Sequence, residues 1–150
     1  MYSHTLYASW ADMDFNSHMA NTAYFNKCAD VRLRMFAENG VPASEFARLK
    51  ICPVLMREEI EYFREVELLQ EIVGTIALAG LSDDGSRWAA RHEMLRTDGK
   101  VCARLTSVGG WLDLKVRNLI VPPENMLAVI KALGRTEDFT VLPSSIKTDG

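Results

Sequence analysis

The sequence predicts a single α+β domain on three observations. One long apolar helix pattern occupies residues 21–39, four long strand patterns follow it in succession, and one further helix pattern closes the chain near Leu133. Runs of strands beside separate helices, rather than strict β-α alternation, define this class. With 150 residues, 48% hydrophobic and 25% charged, the chain is long enough for one substantial core and short for two domains.

Along the chain, Tyr2, His4, Leu6, Ala8 and Trp10 fall on one side of residues 2–10 and predict a first strand. From Asn21 to Asn39, Tyr24, Cys28, Val31 and Met35 form one apolar line, with Phe25, Ala29, Leu33 and Phe36 beside it. Lys27, Asp30, Arg34 and Glu38 leave only a narrow polar stripe, so this helix should be enclosed by other structure. Asn39-Gly40 supplies a C-cap and Pro42 blocks continuation. A short helical piece is expected over 43–49. Strand patterns at 54–66, 70–81, 86–96 and 100–114, with turn signals Asp83-Asp84-Gly85 and Asp98-Gly99, predict an antiparallel meander. Within it, residues 72–81 are nearly continuous in apolar and small side chains, as expected of a central strand. Pro122-Pro123-Glu124 opens the last helix, through Leu133. The domain is therefore expected to span 1–135, with 136–150 as a loosely held tail rich in Pro, Ser, Lys and Thr.

Composition narrows the function classes. The net charge is −3 and the basic residues are scattered, which argues against a nucleic-acid partner. No apolar run approaches the roughly 18 residues of a membrane span, and the N-terminal residues lack a signal-peptide layout, so a cytoplasmic protein with no membrane partner is expected. The three cysteines, Cys28, Cys52 and Cys102, are odd in number and widely spaced, and read as reduced thiols. His4, His18 and His92 have no His or Cys at ligand spacing, so no metal is expected.

Polar chemistry concentrates in Trp10-Ala-Asp-Met-Asp-Phe-Asn-Ser-His-Met-Ala-Asn-Thr-Ala-Tyr24. Asp14, Asn16 and His18 alternate as D-x-N-x-H just ahead of the helix pattern, where unpaired N–H groups and the positive end of the helix dipole are expected. By residue type, Asp14 either caps that helix or serves as a base or nucleophile. Asp12 orders the loop through backbone N–H groups. His18 is a packed residue or an acid–base group, and Asn16 a turn former or an orienting group for Asp14 or water. Cys28 lies about two turns into the helix on an apolar line, with nothing to lower its pKa, and is rejected as a nucleophile. Glu58 and Glu59, adjacent in a strand, must point to opposite faces; one could supply a second carboxylate from the sheet, but a solvated strand face is expected.

Both the element order and these residues resemble the hotdog fold, in its 4-hydroxybenzoyl-CoA thioesterase-like branch. That branch has a D-x-D loop after strand one, often continued as G-H-V-N-N-x-x-Y; here it reads Asp12-Met-Asp14-Phe-Asn-Ser-His18-Met-Ala-Asn21-Thr-Ala-Tyr24. Ile60-Glu-Tyr62 resembles the strand after the long helix, and Trp111 to Pro122 the closing strand and its exit, so the resemblance runs over residues 5–130. Ser17 stands where glycine is common and Ala20 replaces the first Asn of the N-N pair, which bears on loop geometry more than on the carboxylate.

The resemblance implies a five-stranded antiparallel sheet wrapped around the long helix, a homodimer or homotetramer, and metal-independent hydrolysis of an acyl-CoA or acyl carrier protein thioester. Coenzyme A enters only as part of the substrate. The family's catalytic carboxylate falls on Asp14, and Asn16 and His18 also match the D-x-N-x-H of plant acyl-carrier-protein thioesterases. Met19, Asn21, Tyr24 and Phe25 are the expected substrate-binding residues. The acyl chain is expected beside Tyr24, Phe25 and Cys28, the thioester oxygen on N–H groups of the first helical turn, and the pantetheine arm between protomers. Arg57, Arg64 and Arg91 are candidates for the nucleotide phosphates. R-specific enoyl hydratases share the fold with a D-x-N-P-x-H pattern. Here His18 comes four residues after Asp14 rather than five, with no proline after Asn16. A non-catalytic acyl-binding protein on the same frame remains the alternative from another class.

Overall fold

The computed structural model describes residues 2–147. In chain order the elements are β1 (Tyr2–Tyr7), a 3-10 turn (Trp10–Asp12), α1 (Ala23–Glu38), α2 (Ala43–Leu49), β2 (Ile51–Tyr62), β3 (Glu71–Ser82), β4 (Arg87–Arg96), β5 (Val101–Asp113), β6 (Asn118–Leu119), α3 (Glu124–Lys131) and β7 (Arg135–Leu142). Five strands form the main path of a seven-stranded sheet in the order β1-β3-β4-β5-β2, every neighbouring pair on that path antiparallel, with β6 added beside β5 and β7 beside β3. The α1 line Tyr24, Cys28, Val31 and Met35 is buried, with Phe36 beside it. It packs into a core that includes Ile72, Ile76, Leu78, Met94, Leu105 and Trp111. This is the α+β hotdog architecture expected from the sequence. Gly40, at φ 90, ends α1 in the left-handed region that an L residue resists.

Three features depart from expectation. The meander holds only for β3-β4-β5, because β2 pairs with β5 at the far edge rather than with β3. The β2–β3 connection lacks the two-residue turn chemistry of the other links and is fastened instead to the segment ahead of α1. Met19 N–H donates to the Val66 carbonyl at 2.8 Å and Leu69 N–H to the Ala8 carbonyl at 2.7 Å. Second, the expected loose tail supplies β7, which runs parallel to β3 with Gly80 opposite Thr140 and Leu81 opposite Val141. Gly80 admits this strand: a Cβ there would lie 3.0 Å from the Thr140 oxygen. Beyond β7, Ser145 N–H donates to Ser86 Oγ at 2.9 Å, and Ser144 donates to the Asp84 carboxylate. The tail's Pro/Ser/Lys composition hid Phe139, which packs against the core. The last three residues assigned to that tail, 148–150, lie outside the described residues. Third, Leu33 faces outward at 49% exposure, so the apolar face of α1 is narrower than its sequence suggests.

Inside the sheet lies a polar cluster built around His92, which is 0% exposed. His92 Nδ1 lies 3.1 Å from the Thr75 carbonyl oxygen, and a carbonyl only accepts, so Nδ1 carries the proton. Nε2 then accepts from Arg32 Nη1 at 2.9 Å. Arg32 also donates to Ser107, and Ser107 donates to Glu58 at 2.7 Å. Glu58 therefore points inward instead of lying on a solvated face, while Glu59 faces out beside Arg57. Burial and the neighbouring Arg32 guanidinium push the His92 pKa down to about 3, against the Thr75 hydrogen bond that favours protonation.

Candidate active site

The loop between β1 and α1 is held by its own backbone. Met13 pairs with Met19 in an antiparallel bridge, and Asp14 N–H donates to the His18 carbonyl at 2.9 Å. Ser17, at φ 66, turns the tip. The glycine common at that position in the resembling family would fit this conformation without strain. Asp12 orders the base of the loop as expected: its carboxylate accepts from Ser9 N–H and Ser9 Oγ, both at 2.8 Å, and pairs with Lys27 at 2.9 Å. Burial raises its pKa, but the Lys27 and Ser9 hydrogen bonds outweigh that and hold it below the ordinary value.

Asp14 is not the helix cap. Helix α1 begins at Ala23 with Thr22 in the N-cap position. The Asp14 Oδ1 accepts instead from Asn16 N–H at 2.9 Å and His18 N–H at 3.4 Å, within its own turn. One oxygen therefore fixes the carboxylate and the other, Oδ2, carries no hydrogen bond among the described residues. The helix start comes later than expected, but it still borders Asp14: Asp14, His18, Met19, Asn21 and Tyr24 line one cleft, faced by residues 62–65. Ala23 N–H is already used by the Ala20 carbonyl at 3.0 Å, which leaves the next first-turn N–H groups without intrahelical acceptors.

Of the site residues expected from sequence, the structure brings Asp14, His18, Met19, Asn21 and Tyr24 together. Asn16 is exposed at the tip, bonded to Asp14 through its backbone. Phe25 is half-buried against the core and does not line the cleft. The expected acyl channel beside Tyr24 and Cys28 is closed. Tyr24 is 3% exposed and Cys28 1%, and the Tyr24 ring meets Tyr62 edge-on at 5.3 Å. Burial, helped by Glu58 and opposed by Arg32, pushes the Cys28 thiol up to about 12, in keeping with its rejection as a nucleophile. A separate apolar void lies further along α1 among Met35, Phe36, Trp88 and Ile130, and no residue of the loop lines it.

On the opposite wall, sequence reasoning named Arg64 for phosphates but missed Phe63, Glu65 and the part of Tyr62. Glu65 Oε2 lies 2.8 Å from His18 Nε2, Tyr62 OH donates to the Asn21 carbonyl at 2.8 Å, and Arg64 donates to the Val101 carbonyl at 2.8 Å while lining the cleft. Nothing in local spacing ties Glu65 to His18; only the β2–β3 crossing does. Of the three arginines considered for phosphates, Arg64 alone reaches this cleft. Arg57 pairs with Glu59, and Arg91 pairs with Asp138 at 2.6 Å on the sheet face turned away from α1. Among the described residues, no group of three or more His, Cys, Asp or Glu side chains is placed to hold a metal ion, and no helix is long and apolar enough to cross a membrane.

A curled sheet wrapped around one long helix is the hotdog architecture. The chain belongs to the thioesterase-like superfamily, whose family model matches residues 8–130, and it is a thioester hydrolase by class. No curated protein matches it. Among solved structures it is similar to a Staphylococcus aureus protein in complex with CoA, at 20% identity and TM-score 0.77, with 86% of this chain and 80% of that one covered. It is also similar to a 1,4-dihydroxy-2-naphthoyl-CoA thioesterase from Synechocystis, at 12% identity and TM-score 0.78, with 88% and 96% covered. A gentisyl-coenzyme A thioesterase matches at 15% identity and TM-score 0.76, with 83% and 98% covered. At these identities the structural likenesses establish the fold.

Proposed function

We propose that the protein hydrolyses acyl-CoA thioesters with Asp14 as general base or nucleophile. The observation that carries this is the Asp14 carboxylate, held through Oδ1 and free at Oδ2 on the wall of a cleft that also holds the start of α1. The free oxygen takes a proton from water or attacks the thioester carbonyl. First-turn N–H groups of α1 receive the developing oxyanion, in line with the helix dipole. His18, oriented by Glu65, borders the same carbonyl and assists the departing thiolate. Arg64 supplies positive charge for the phosphates of coenzyme A, and a thioester is reactive enough to need no metal.

The β2 strand, 12 residues long, ends the sheet with its outer edge unpaired by any strand among the described residues, and Leu55 and Met56 on it are exposed at 48% and 42%. Such an edge invites pairing with a second copy, so the working unit is a homodimer or a dimer of dimers. Release of free thiol from a panel of aliphatic and aromatic acyl-CoAs, with acyl carrier protein conjugates alongside, tests the activity. Sedimentation tests the assembly. Hydrolysis of at least one CoA thioester by a dimer or larger species is expected; no thiol release from any thioester would refute the function.

A further inference from the structure

We propose that the acyl group lies in an apolar groove on the outer side of the catalytic loop, so that Asp14 stands at the junction of two unlike surfaces. This assignment rests on the thioesterase function proposed above and adds the place and class of the acyl group. On one side of Asp14 is the cleft that carries the charged and amide groups His18, Asn21, Arg64 and Glu65, beside the rings of Tyr62 and Phe63. On the other is a groove lined by Trp10, Met13, Phe15, Ser17 and Leu68, with Asp14 again in its wall. Trp10 is 82% exposed, Phe15 97% and Leu68 42%. Two aromatic rings and a leucine set together in water form an unpartnered apolar surface of the kind that marks a binding site.

An acyl-CoA has the same division. A charged nucleotide and a polar pantetheine arm meet an apolar acyl group at the thioester carbon, the atom the carboxylate must reach. Docked with that carbon beside Asp14, the arm falls into the cleft with Arg64 and Asn21 and the acyl group falls onto Trp10, Phe15 and Leu68. The inner route along α1 is closed by the Tyr24–Tyr62 contact and the buried Cys28, and the outer groove is the surface beside Asp14 whose lining holds no other charged group. The groove walls are held in place. Leu69 N–H is bonded to the Ala8 carbonyl at 2.7 Å behind Leu68, and the loop is closed by the Asp14–His18 backbone bond at 2.9 Å. The occupant is therefore an extended aliphatic or aromatic acyl group, and each methylene that enters the groove should tighten binding by about fourfold.

The test uses the full-length Asp14→Asn protein, which should bind without turnover, and follows tryptophan fluorescence. Trp88 and Trp111 are buried at 4% and 0%, so Trp10 reports on the groove. Decanoyl-CoA should shift the emission to the blue, whereas acetyl-CoA and free CoA should not. In the active protein, Phe15→Ser and Leu68→Ser should each lower the decanoyl-to-acetyl ratio of kcat/KM tenfold or more, chiefly through KM. Val141→Ser, on exposed β7, should leave that ratio alone. An unchanged emission, or an unchanged ratio in both groove variants, would place the acyl group elsewhere while leaving the thioesterase function standing. Dissociation of an oligomer in Phe15→Ser, with equal losses for every acyl length, would make the groove a contact between copies and overturn the proposal. Neither binding nor turnover of any acyl-CoA would remove the thioesterase function itself, and this assignment with it.

Discussion

Protonation of His92 should be the first acid-sensitive event in the core. The imidazole is fully enclosed, donates from Nδ1 to Thr75 and accepts at Nε2 from Arg32, so an added proton would face a guanidinium with no lone pair to receive it. Its folded pKa of about 3 lies below the ordinary 6.5. Between those values the unfolded chain carries one proton more than the folded one, so stability falls as pH falls, by ~1.4 kcal/mol per pH unit. From pH 6.5 to pH 5, where ordinary carboxylates stay ionised, the loss is about 2 kcal/mol, a large share of a typical domain's 5–15 kcal/mol. Urea unfolding at half-unit pH steps measures it. A Gln at position 92 keeps one donor and one acceptor without titrating, so His92→Gln should be somewhat less stable at pH 7 and flatter across this window by about one proton. Equal slopes for the two proteins, or a native His92 that titrates near 6.5 by NMR, would refute the assigned hydrogen-bond polarity.

Other expectations follow from single features. Gly109→Ala would put a Cβ 2.1 Å from the Val54 carbonyl oxygen and 2.5 Å from the Trp88 ring; prising β2 from β5 should cost about 3 kcal/mol, read as a melting temperature lower by roughly 6–12 °C. Thiol release should survive exhaustive chelation, and a loss restored by zinc would reveal a metal site. Glu65→Gln removes the charge facing His18, but the pair is 32% and 70% exposed. A solvent-screened pair of this kind is worth at most ~1 kcal/mol, so kcat/KM should drop less than about fivefold.

What could be read from sequence was whatever is encoded locally. The buried line of α1, its Asn39-Gly40 stop, the turns at Gly85 and Gly99 and the short helix at 43–49 all follow from spacing and turn chemistry, and the structure has them. Asp14, His18, Asn21 and Tyr24 share a cleft because one short loop and the helix start carry them all. The unreadable parts are long-range. Pairing of β2 with β5 brings residues 62–65 opposite the loop, and no local pattern marks Glu65 as a partner of His18 or Glu58 as a partner of Ser107. Strand β7 is not legible because its half-buried residues, Thr136, Phe139 and Leu142, recur every third position instead of alternating. The outer groove was hidden for a related reason: Trp10 reads as the inward end of a strand, but β1 stops at Tyr7 and the following 3-10 turn rotates the indole into solvent.

The central claim is that the free oxygen of Asp14 performs the chemistry, and turnover by Asp14→Asn tests it most directly. Asparagine can still accept the Asn16 and His18 N–H groups through its carbonyl oxygen, so the loop and the fold should persist by circular dichroism and thermal melting. With the negative charge gone, kcat on the best acyl-CoA should fall by about 10²-fold or more, while His18→Ala, which leaves the backbone donors in place, should fall less. A folded Asp14→Asn protein with near-normal turnover, beside an inactive His18→Ala, would contradict the account and move the central role to the histidine.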